Sequence, residues 1–185
     1  TLTARALYRT HLVAALPDGC LAHYDDVSPE YFAHNAIALF RAQGWTADNA
    51  TFHPEEPASR ATAAVLLTRP IGRTLLWKLG ISPEYLTELP QNYTDVDADH
   101  PFAQHIALID LVDFLNSSID AEAGLPSFSP ESEITRAEVA VALARMLAFI
   151  RDHRVTYLLD YNPQIACTSA EELAMSEVLE GGSVQ

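Results

Sequence analysis

The sequence predicts an all-α fold, and three observations lead there. Apolar residues recur at helical spacing in several long runs. Each run is bounded by a capping residue or by a Pro or Gly breaker, and no stretch alternates convincingly in the way a half-buried strand would. The third observation is one pattern written twice. Phe52-His53-Pro54 is followed by Ala58-Ser59-Arg60-Ala61, and Phe128-Ser129-Pro130 by Ile134-Thr135-Arg136-Ala137-Glu138, the Phe leading the Arg by eight residues both times. Self-similarity at fixed spacing is the mark of an architecture built from repeated units.

Leu2 to Leu16 reads as a helix stopped by Pro17-Asp18-Gly19. Pro29 to Gln43 is a second, with Ser28 as N-cap, Pro29 at the first helical position and Gly44 placed to end it. Ser59 caps a third helix, which continues through Leu67 until Pro70 interrupts it. Ile71 to Leu79 follows and is closed by Gly80; Ser82-Pro83-Glu84 then opens a short element that leads to Leu89-Pro90. Residues 101–115 and 135–153 complete the strong helices.

The repeated pattern extends upstream. Tyr24-Asp25-Asp26-Val27 answers Tyr93-Thr94-Asp95-Val96, and thirteen residues after each Tyr an apolar stripe is centred on Ile37 or Ile106. The unit thus runs through an aromatic-x-Asp-Val turn, an amphipathic helix, a Phe-x-Pro loop and a Ser/Thr-Arg-Ala helix. That order, with those residues, resembles the S-layer homology (SLH) domain over roughly residues 18 to 150. Ile134 to Glu138 fits the family's Ile-Thr-Arg-Ala-Glu at every position, whereas Ala58 to Thr62 lacks the closing Glu.

The resemblance implies SLH-type pseudo-threefold helical repeats around a central three-helix bundle. Two complete units are visible, at 17–80 and 81–153. Thr3-Ala4-Arg5-Ala6 with Leu7 to Leu16 makes residues 1–16 look like the terminal helix of a third. Tyr157-Leu158-Leu159-Asp160, Thr168 to Leu179 and Gly181-Gly182 give 154–185 the look of a unit's first half. A degenerate third unit split between the termini is therefore expected, completed within one chain or by the next. Completion by the next chain would be a head-to-tail contact, giving a ring or an open filament and so a homo-oligomer through the termini.

Thr135 at the N-cap and Glu138 at the third helical position form a capping box, each side chain satisfying a backbone N–H orphaned at the helix start. Arg136 sits in that first turn, against the helix dipole, so its position asks for a partner. The resemblance implies that this Arg lines a groove between units and contacts an acidic, pyruvate-bearing sugar of a secondary cell-wall polysaccharide. Pairing with Asp95 or a nearby carbonyl is the alternative, and the two are compatible. Arg60 and Arg5 carry the same implication in their own motifs. Asp26 and Asp95 match the family's Asp-Val position, where the Asp caps a helix or orients the Arg. The family often places Trp early in the following helix, where Phe32 and Phe102 stand nearby in this chain. The expected ligand-binding set is Arg60, Arg136, Arg5, Asp26, Asp95, Thr135 and Glu138.

A net charge of −14 and a pI near 4.7 argue against a nucleic-acid partner, which demands a basic face. No apolar run reaches the roughly 18 residues a membrane span needs. Ten of the eleven basic residues are Arg and only Lys78 is Lys, which fits either bidentate recognition of carboxylates or a compositional bias. Cys20 and Cys167 lack metal-site spacing and are either one long-range disulfide or two free thiols. Asp95, Asp97 and Asp99 fall at positions 1, 3 and 5 of a calcium loop, but His100 and Ile106 stand where that loop needs Gly and Glu. An acidic solvated turn is expected there, with no metal and no cofactor. Asn49, Asn92 and Asn116 begin glycosylation acceptor triplets, which matter only where the transferase is present. The start at Thr1 suggests a processed or partial product.

No nucleophile elbow, Cys-His pair or phosphate-cradling loop is present, so no enzyme is expected. The expected function is a non-catalytic module at a bacterial cell surface. It would bind an anionic, pyruvylated secondary cell-wall polysaccharide or a peptidoglycan-linked polymer. The alternative is an extracellular structural subunit that uses the same architecture to self-assemble in a surface layer or filament.

Overall fold

Five of the six described α-helices end in one device. The computed structural model describes residues 2–13, 24–47, 49–89, 92–120 and 124–162. Among them are α1 (Leu2–Arg9), α2 (His34–Ala42), α3 (Arg60–Thr68), α4 (Gly72–Lys78), α5 (Ala103–Leu111) and α6 (Arg136–Asp152), with a 3₁₀ helix at Pro83–Glu88. After every helix but α3 comes a residue in the left-handed region: His11, Gly44, Gly80, Asp113 and Arg154, with φ between 50° and 75°. The next amide then reaches back to the last turn, as Trp45 N does to the Phe40 carbonyl at 2.8 Å and Val155 N to that of Ile150 at 2.9 Å. This satisfies orphan carbonyls and turns an apolar residue inward. Leu12, Trp45, Phe114 and Val155, which follow four of these turns, are buried.

The mainly helical class is as expected, but three boundaries differ. The described part of α1 ends at Arg9, because the turn at His11 closes it before Leu16. Helix α2 begins at His34 instead of Pro29, since two tight turns come first: Tyr31 N to the Ser28 carbonyl at 3.0 Å, then His34 N to that of Tyr31 at 2.9 Å. The same pair precedes α5, where His100 N bonds to the Asp97 carbonyl and Ala103 N to that of His100. A strand pair that the sequence does not announce joins Ser118–Ile119 (β1) to Pro126–Ser127 (β2), antiparallel, with Ser118 opposite Ser127. Two residues per strand leave no alternation to detect. The hairpin accompanies extra chain: the helix starts His34 and Ala103 lie 69 residues apart, but Arg60 and Arg136 lie 76 apart.

The chain divides into two compact units, residues 3–55 with Asn162, and residues 56–161. In the first, Tyr24, Val27, Ala33 and Ile37 form a core flanked by Tyr31 and Phe52, and Phe40 meets Trp45 edge-on at 5.2 Å. In the second, α3 packs on α5. Thr68 Oγ1, which donates to the Ala64 carbonyl, lies 2.8 Å from His105 Nδ1. Burial, with the Arg69 charge adding to it, lowers the His105 pKa to about 4. Gly72 allows α4 to begin against α5, because a Cβ there would stand 3.0 Å from Leu108 Cδ2.

Helix α6 is the exception to tight burial. It buries Ala142, Met146 and Ile150, a stripe one residue wide, and leaves Val141 43% exposed. Cys20, Cys167 and the expected helix around Thr168 to Leu179 lie outside the described residues.

Candidate ligand-binding site

The two Asp-Val turns and the two Phe-x-Pro loops meet through the same contacts. In the first unit, Asp26 accepts hydrogen bonds from Phe52 N at 2.8 Å and His53 N at 2.6 Å. In the second, Asp95 accepts from Phe128 N at 2.8 Å, Ser129 N at 2.6 Å and Ser127 Oγ at 2.8 Å. His53 and Ser129, each the middle residue of its loop, have φ of 57° and 58°, a conformation that costs a non-Gly residue energy. The Asp holds that bend in place. Burial pushes both carboxyls up, but the backbone amides outweigh it and keep both below the ordinary value. Behind each loop the motif's aromatics touch, Tyr24 with Phe52 at 5.3 Å and Tyr93 with Phe128 at 5.4 Å. Both Asp residues therefore brace loops. Neither caps a helix, and Asp95 does not pair with Arg136.

Helix α3 starts with every amide of its first turn satisfied. Arg60 N donates to the Ser132 carbonyl at 2.8 Å, Ala61 N to that of Pro130 at 3.0 Å, and Thr62 N to Ser59 Oγ at 3.1 Å. Ile134 N returns a bond to the Ala58 carbonyl, so the segments leading into α3 and α6 lie antiparallel, with Ser59 opposite Glu133. This zipper carries Arg60 into the second motif. Its Nε donates to the Phe128 carbonyl at 2.7 Å and Nη2 to that of Asn116 at 2.6 Å; Nη1 pairs with Glu138, and the guanidinium lies 4.9 Å from the Phe128 ring centroid. Arg60 is only 7% exposed. The residue expected to face a sugar is thus committed to the protein.

Glu138 serves two masters. Its Oε2 accepts from Thr135 N at 2.9 Å, completing the expected capping box, while Oε1 takes Arg60. The Thr135 bonds first, and the Arg60 charge after them, hold its carboxyl below the ordinary value.

Arg136 and Arg5 stand differently. Arg136 is exposed and makes no hydrogen bond or ion pair among the described residues, and no acceptor meets its own amide or that of Ala137. Arg5 is exposed on α1, its guanidinium 5.5 Å from the ring centroid of Phe32, itself 72% exposed and 4.7 Å from Tyr31. The three motifs also differ in sequence. Ala137 is followed by Glu138, but Ala61 is followed by Thr62 and Ala6 by Leu7, so the chain offers one Glu for three Arg-Ala motifs.

The carbonyls of Asn116, Phe128, Pro130 and Ser132 escape sequence reasoning, because any residue supplies a carbonyl. The missing Glu at position 62 was the one available signal. Among the described residues, no group of three or more His, Cys, Asp or Glu side chains could hold a metal ion, and no helix is long and apolar enough to cross a membrane. No protein-family model, no curated protein and no solved structure matches this chain.

Proposed function

We propose that this chain is a non-catalytic, SLH-type module that binds an anionic secondary cell-wall polysaccharide at a bacterial surface. One observation carries the reading: of three Arg-Ala motifs, the structure consumes one and leaves two guanidiniums projecting into solvent. Arg136 stands beside two unpartnered amides at the start of a 17-residue helix, where the dipole favours an anion. Arg5 lies over an exposed aromatic ring, which offers an apolar face to a sugar while the guanidinium takes its carboxylate. In this reading Arg60 only positions the second motif, and the repeats are arranged as the family resemblance implies.

Co-sedimentation with isolated bacterial cell-wall sacculi tests it. Wild type is expected in the pellet, and Arg136→Ala and Phe32→Ala are expected to weaken binding about tenfold each, at unchanged circular dichroism. Wild type left in the supernatant would sink the proposal.

The exposed apolar side of α6 supports a second reading, a subunit that self-assembles through that helix. It expects oligomers by light scattering that Val141→Glu dissolves.

A further inference from the structure

The positive charge of this acidic chain is not spread evenly. Arg69, Arg73, Lys78, Arg145, Arg151 and Arg154, six of the eleven basic residues, fall within residues 69–78 and 145–154, which hold only one of the 25 acids, Asp152. The fold brings the two stretches together at the C-terminal ends of α4 and α6. Lys78, the only lysine, donates from Nζ to the Arg154 carbonyl at 3.3 Å and lies 4.8 Å from the ring centroid of Trp77. Trp77 in turn meets Tyr157 at 5.7 Å, the rings tilted by 42°.

This arrangement is not explained by packing. Trp77 is 45% exposed and Tyr157 is 50% exposed, while Leu75 and Leu76, which precede Trp77 in α4, are fully buried. The chain's other tryptophan, Trp45, is 3% exposed. The cations of the two stretches are only partly answered. Arg73 reaches Asp160 at 4.0 Å with half its side chain in solvent, and the exposed Arg154 side chain has no hydrogen-bond or ion-pair partner among the described residues.

We infer that Trp77, Tyr157, Lys78 and Arg154 form a second binding site, for an acidic sugar. An aromatic surface packs against the C–H face of a sugar ring, and adjacent cations take its carboxylate. Polar groups alone would suit a free anion, and rings alone a neutral glycan; their combination selects a sugar acid. A long polyphosphate fits less well, since residues 56–161 carry fifteen acids against eight basic residues and repel it outside the patch. The site is distinct from the Arg136 end, because the 17 residues of α6 separate them by about 24 Å. It rests on the proposed function for its ligand class and deepens it: a polymer held at two remote points gains avidity without new contacts.

The unequal tryptophans supply the assay. The 185-residue chain is titrated with oligogalacturonate, with maltoheptaose as the neutral control, and intrinsic fluorescence and acrylamide quenching are followed. Oligogalacturonate should produce a saturable change and shield Trp77 from acrylamide. Lys78→Gln and Tyr157→Ala should raise the Kd read from Trp77 shielding about tenfold. The inference is overturned by no saturable response, by equal binding of maltoheptaose, or by shielding that rises with protein concentration alone, which would assign the patch to a second copy. Sacculus binding lost in Arg136→Ala but unaffected in Lys78→Gln and Tyr157→Ala, with no oligogalacturonate response, overturns this site and leaves the proposed function standing. A normal titration with no sacculus binding does the reverse.

Discussion

Arg60 and Arg136 hold the same place in the same motif, yet one is 7% exposed and fully engaged while the other projects into solvent. What separates them is a residue belonging to neither position. Glu138, three residues after the N-cap of its own helix, closes the capping box with Oε2 and captures the other copy's arginine with Oε1. The motif's glutamate is therefore a link between copies as much as a cap. Thr62 and Leu7 hold the matching position in the other two motifs, and neither carries a carboxylate.

The sharpest way to break this comparison is to remove both arginines in turn. Arg60→Met leaves the Phe128 and Asn116 carbonyls without their donor and takes the cation from the part-exposed Glu138, and a loss of about 2–4 kcal/mol is expected from urea denaturation. Arg136→Met should stay within about 0.5 kcal/mol. Equal losses would erase the distinction. Glu138→Gln is expected to cost about 1–3 kcal/mol, and a double-mutant cycle with Arg60→Met should return a coupling of about 1–2 kcal/mol, absent between Glu138 and Arg136.

Acid separates the copies further. His105 of the second copy stands where the first has Ala36, and its folded pKa is lowered to about 4 by burial and then by Arg69. Below its unfolded value near 6.5 the unfolded chain binds the proton first, so stability falls as pH drops from about 6.5 to about 4, by at most about 3 kcal/mol. His105→Gln should flatten that limb in pH-dependent melting. A further fall below about pH 4 should survive the substitution, since Asp95 and Glu138 have lowered folded pKa values and lose their contribution only when protonated.

Smaller effects refine the picture. Asp95→Ala removes the acceptor of two amides and a hydroxyl and is expected to cost about 1–2 kcal/mol, more than Asp26→Ala, which removes the acceptor of two amides. Asp113→Gly makes the end of α5 match the Gly44 end of α2, and at φ 50° it should stabilise by about 0.5–1 kcal/mol in thermal melts.

What was legible in the sequence was local. Ser59 and Thr135 as N-caps, Glu138 in its box, and the Gly44 and Gly80 turns all act within a few residues of their own position, and each stands where sequence places it. The Asp braces were legible as conserved spacing within the chain but not as loop supports, because their partners lie 26 to 34 residues away. The late starts of α2 and α5 were hidden because successive tight turns use the same residues that open a helix. The engagement of Arg60 was hidden by distance along the chain, its partners standing 56 to 78 residues downstream, two of them main-chain carbonyls that no side-chain pattern records.

That reach also bears on time. A contact that closes loops of 56 to 78 residues is expected to form after the braces, whose loops are half as long, and so to be largely absent from the folding transition state. The Arg60 clamp would then govern the lifetime of the folded second unit and barely its rate of formation. In stopped-flow experiments Arg60→Met should speed unfolding by about two to three powers of ten while refolding changes little. The clamp would act as a latch, thrown last and holding what earlier contacts have assembled.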